Sequence, residues 1–177
     1  FWRMNRIANS KFFKKEFEFT GKHARMAGEL WVKDDIEHSY FKRLIDIYIL
    51  APIIGCRIER KAPADNSTYE PQSVFPEQIS KEKEKLDFIM QMILMTEYSE
   101  SMTADKCVNL ALRGAENEEQ FLLYQNLFND YVRGGVEELY ERLVIKNPDP
   151  EEDIQDEKAF NIKEFMQRYC DNAQIEQ

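Results

Sequence analysis

The chain has 177 residues, 43% of them hydrophobic and 32% charged, with a net charge of −9. That apolar content supports a packed core and excludes wholesale disorder, and the length suits one domain rather than two full cores. Only six glycines and six prolines are present, too few for the many turns of a sandwich or barrel.

Residues 1–19 mix Phe with Lys, Arg and Glu and lack the apolar stretch of a signal peptide. Within them KFFKKEFEF, residues 11–19, alternates loosely between apolar and charged, which suits a short strand or an N-terminal arm. Thr20 is placed to cap a helix over about 21–32, with Ala24, Ala27, Leu30 and Trp31 on one face.

The next helix is expected to open at Asp34 and Asp35, since carboxylates suit the free N–H groups of a first turn. Tyr40–Gly55 then forms the most apolar part of the chain, and from Leu44 onward the helix is apolar nearly all round, the pattern of a central buried element. Pro52 should kink it or end its first part. This segment is too short to span a bilayer, so no membrane partner is expected.

Residues 62–78 hold three prolines and form the one clear long loop. A helix follows from about Ser80 to Tyr98, with Leu86, Ile89, Met90, Ile93 and Leu94 as its core stripe. A short helix capped by Ser101 or Thr103 ends at Gly114, and another starts at Asn117 or Glu118. Gly134-Gly135 should break that helix, because two interior glycines cost roughly 2 kcal/mol relative to alanines. An acidic linker, 146–158, precedes a last helix over about 159–171 and a polar tail. The whole reads as an all-α, single-domain, irregular bundle of about six helices around a central apolar helix.

Candidate chemistry is sparse. Cys56, Cys107 and Cys170 are odd in number and far apart, which argues against a disulfide framework or paired-cysteine metal site and for a reduced, cytoplasmic setting. His23 and His38, the only histidines, sit on different predicted helices with no i,i+4 partner, so neither metal nor cofactor is expected. Asp46 is the carboxylate inside the most apolar stretch. If buried it needs a partner: Arg43, one turn back, is a local candidate, and Arg57, Arg60 or a Lys from another helix are others.

Charge is split along the chain. Residues 1–63 carry 13 Lys or Arg against 8 Asp or Glu, a net of +5, and residues 64–177 a net of −14. Lys11, Lys14, Lys15, Lys22 and Arg25 are interleaved with Phe12, Phe13, Phe17 and Phe19, a composition that can hold phosphates and stack bases or contact a protein partner. Glu137, Glu138 and Glu141 read as a solvated helix face.

These features favour a non-catalytic helical interaction module, an accessory subunit of a larger bacterial assembly with a protein partner or a second copy. A nucleic-acid-associated factor of DNA-processing or phage-defence type, using the basic N-terminal third, is the first alternative. An enzyme with Asp46 in a cleft is the second. Where the central helix ends, at Cys56–Lys61 beneath the 62–78 loop, is the first place to look for a functional centre.

Overall fold

The computed structural model describes residues 12–145 and 157–170. Their order is β1 (Phe17–Phe19), α1 (Gly21–Leu30), α2 (Leu44–Arg57), β2 (Gln72–Val74), α3 (Pro76–Lys81), α4 (Lys83–Tyr98), α5 (Ala104–Arg113), α6 (Glu118–Tyr140), a π-helical turn (Glu141–Ile145) and α7 (Glu157–Cys170). The all-α expectation is met, with α2 packed most extensively on α6. The two short strands pair antiparallel, Phe17 opposite Val74 and Phe19 opposite Gln72, so the N-terminal strand finds its partner inside the expected loop.

The phenylalanines of the N-terminal segment face inward. Phe12 stacks on Phe121 at 5.0 Å, Phe13 meets the edge of Phe128, and Phe17 stacks on Tyr48 of α2 at 4.6 Å. Burial of such rings dominates core energetics, so this segment is a wall of the core.

Two boundaries differ from the sequence expectation, at the start of α2 and at Ser80. Residues 33–43 are turns, and α2 begins only at Leu44. Asp34 adopts a positive φ of 63°, which ends local helical geometry there. Pro52 lies buried within α2, which continues to Arg57. The segment expected to start near Ser80 is two helices, and Pro76 opens the first, a position where its missing N–H costs nothing.

The largest difference is α6, which runs unbroken for 23 residues through Gly134 and Gly135. These glycines serve an approach of backbones. A Cβ on Gly135 would lie 1.8 Å from the Ala51 carbonyl oxygen, and one on Gly134 1.9 Å from that of Arg60. Gly55 does the same from the other side, where a Cβ would meet the Tyr131 carbonyl at 2.3 Å. The helix tolerates its two glycines because tertiary packing here outweighs propensity.

Thr20 stands at the α1 N-terminus without a side-chain cap bond there. Its hydroxyl instead donates to the Asp65 carbonyl at 2.8 Å, and the Asp65 carboxylate accepts from the Lys22 N–H. The cap comes from the 62–78 loop, which is thereby pinned across α1. Arg133 and Asp130 hold the same loop at Ala62. The linker over 146–156, the tail from 171 and Lys11 lie outside the described residues.

Candidate functional site

Where α2 ends, Arg60 turns back over the last turns of α6. Its guanidinium donates to Glu137 at 2.8 and 3.1 Å and to Glu141 at 2.7 and 2.9 Å, with Glu138 at 3.5 Å. Arg60 can reach them because the glycine contact sets its own backbone against Gly134. Glu137 also accepts from Lys22 at 2.8 Å and from buried His23 at 3.0 Å, both on α1. Glu138 is held by Arg142 and by the Tyr169 hydroxyl of α7, each at 3.0 Å.

Glu137 and Glu138 are only 8% and 5% exposed, so the expected solvated acidic face is in fact interior. The helix presents them to Lys22 of α1, to Arg60 just after α2 and to Arg168 and Tyr169 of α7, which replace water. Burial raises the Glu137 pKa, but hydrogen bonds from Lys22, His23 and Arg60 outweigh it and hold the carboxyl below its usual range. Arg60 lowers Glu141 likewise. Burial pushes His23 below its ordinary value against the pull of Glu137. Burial and the bond to Glu138 raise the Tyr169 phenol to about 12. The His23 Nδ1 atom is buried without a hydrogen-bond partner. Otherwise every carboxylate of this cluster is answered by a cation, the arrangement of a structural clamp joining four elements.

The opposite side of α2 is built differently. Ile49 and Ile53 are half-buried there, and α4 leaves its Phe88 66% exposed beside them. Together with Ile89 and the stems of Glu84 and Lys85 they line an almost wholly apolar open groove. The α4 stripe of Leu86, Ile89, Met90, Ile93 and Leu94 is in the core as expected. Phe88 falls between those positions, so it is left outside.

Asp46 proves half-buried instead of buried. Because α2 starts at Leu44, it lies in the first turn, where Arg43 engages both its oxygens at 2.6 and 3.2 Å and also reaches Glu82. Of the candidate partners Arg43 is the one engaged, and the carboxylate it holds is not fully buried. Lys14 and Lys15 are exposed, whereas Lys22 pairs with Glu137, and Arg25 with Glu29 and the Tyr140 hydroxyl. Among the described residues the basic side chains and the aromatic faces do not share one surface, since the rings of Phe12, Phe13 and Phe19 are turned into the core. Cys56 and Cys107 are free and buried. No cluster of potential metal ligands occurs among the described residues. None of their helices is long and apolar enough to cross a membrane.

Sequence reasoning pointed to Cys56–Lys61, which holds Arg60, but missed the carboxylates that Arg60 binds, and it missed the Phe88 groove. The signal for the first was the glycine pair facing Gly55, which marks a backbone contact. For the second it was an aromatic placed off the core stripe of α4. No protein-family model, curated protein or solved structure matches this chain.

Proposed function

We propose that the protein is a non-catalytic helical interaction module, an accessory subunit that docks a partner in the α2/α4 groove. The observation that carries this reading is the apolar floor of that groove, Ile49 and Ile53, under an exposed Phe88. A contiguous apolar strip rimmed by charged Glu84 and Lys85 has the make-up of a partner surface, with an aromatic available as anchor. The saturated state of the ionic cluster favours the same reading, because its carboxylates are committed to cations of the chain itself. A cytoplasmic bacterial assembly remains the proposed setting.

The test is purification from the native host beside a Phe88→Glu variant. The reading expects a stoichiometric partner, or a second copy, that the variant loses while its helical signal stays unchanged. Recovery of the same proteins with both chains, or of none with either, contradicts it.

A second reading, a nucleic-acid-associated factor, keeps the support of exposed Lys14 and Lys15. It expects salt-dependent binding of short DNA or RNA that a Lys14→Glu/Lys15→Glu variant abolishes. No binding at low salt removes it.

A further inference from the structure

The turns between α1 and α2 fold into a second pocket, remote in kind from the apolar groove. Trp31, Tyr40 and Phe41 line it together with Asp34 and Asp35. Aromatic faces beside carboxylates form the environment that attracts alkylammonium groups, because ring quadrupole and negative charge act together on a cation that keeps its apolar stem.

The chain already places such a group there. Lys158, from the first turn of α7, sets its ammonium 5.8 Å from the centre of the Tyr40 ring and donates to the Ile36 and Glu37 carbonyls at 3.3 and 3.4 Å. Those bonds are long, and neither carboxylate takes part. Asp35 is taken up by His38 at 2.7 Å. Asp34 has no hydrogen bond or ion pair among the described residues. The pocket thus contains an ammonium held by its weaker acceptors, while Asp34, unpaired among the described residues, is part of its lining.

We propose that this pocket is a binding site for primary alkylammonium groups, with Lys158 as an internal occupant that an incoming amine displaces. An external ammonium gains the Asp34 carboxylate as well as the rings, so it outcompetes Lys158 once present in excess. The natural source that suits an interaction module is a lysine side chain of a partner protein. The site does not depend on the α2/α4 groove, so either assignment can fail alone.

The test uses N-acetyl-lysine amide, butylammonium and the Nε-acetylated lysine amide as probes of the full chain. The readout is the Trp31 indole N–H resonance, assigned with a Trp2→Phe variant. Saturable shifts are expected with both cations and none with the neutral amide. Tighter binding of the lysine amide than of butylammonium identifies a partner lysine as the source, and equal binding identifies a free amine. Lys158→Ala should tighten apparent affinity about threefold or more by emptying the site. Asp34→Asn, a residue that accepts the same positive φ, should weaken it about threefold. Equal shifts from the neutral amide, no saturation with either cation, or an affinity unmoved by Lys158→Ala overturns the proposal.

Discussion

Helix α2 meets α6 along one side and α4 along another, and the two contacts are built differently. Against α6 the backbones touch through Gly55, Gly134 and Gly135, and the junction is locked by Arg60 on Glu137 and Glu141. Against α4 the side chains meet only in part, and Ile49, Ile53 and Phe88 are left between solvent and core. The first contact leaves no room for another molecule and few polar groups unanswered. The second leaves apolar surface that the described residues do not cover. In a helix apolar nearly all round, that difference separates the side that makes the fold from the side available for function.

Breaking the closed side should be costly. Gly135→Ala drives a methyl into the Ala51 carbonyl and should lose about 3 kcal/mol or more in urea denaturation. Gly28→Ala is the control. Its Cβ would meet only the Gln72 side-chain amide at 4.0 Å, so the same change should be neutral or gain up to about 1 kcal/mol. Arg60→Met strips Glu137 and Glu138 of a cation. A loss of roughly 2 kcal/mol is expected, less than for a fully buried pair because the Arg60 side chain is 31% exposed.

Acid should attack the same junction in two steps. His23 is flanked by Glu137, Lys22, Arg133 and Asp65, and its folded pKa lies below the ordinary 6.5. The unfolded chain therefore takes up the proton first, and stability falls as pH drops below about 6.5 until the folded pKa is passed. Glu137 and Glu141, also lowered, hold stability that is lost only below their ordinary 4.5. Urea midpoints measured from pH 8 to 3.5 should show both steps, and His23→Gln should remove the upper one alone. On the open side Phe88→Glu should shift stability by no more than about 0.5 kcal/mol, as for other surface changes.

Much of the fold was legible in the sequence. The period of α4, the glycine stop of α5 at Gly114 and the Asn117 cap of α6 are local signals, and they appear where expected. What failed depended on residues distant in sequence. The glycines of α6 read as a break because their cost is local, whereas their benefit comes from Ala51 and Arg60. Glu137 and Glu138 read as solvent-facing because most of their partners, Lys22 of α1, Arg60 after α2 and Arg168 of α7, lie far from them in sequence. Asp46 read as buried because composition marks an apolar stretch but not where its helix starts. Cys56–Lys61 holds Arg60 of the ionic hub and no residue of the groove, since charge is easier to see in a sequence than an uncovered apolar face.

The central claim, that the α4 side of α2 is a partner surface, is tested most directly by site-specific crosslinking. A benzophenone amino acid is placed at Phe88 in the native host, and at Leu122, an equally apolar exposed position on α6, as control. The account predicts one discrete adduct from position 88 on irradiation and none from position 122. Identical adducts from the two positions, or none from position 88, would contradict it.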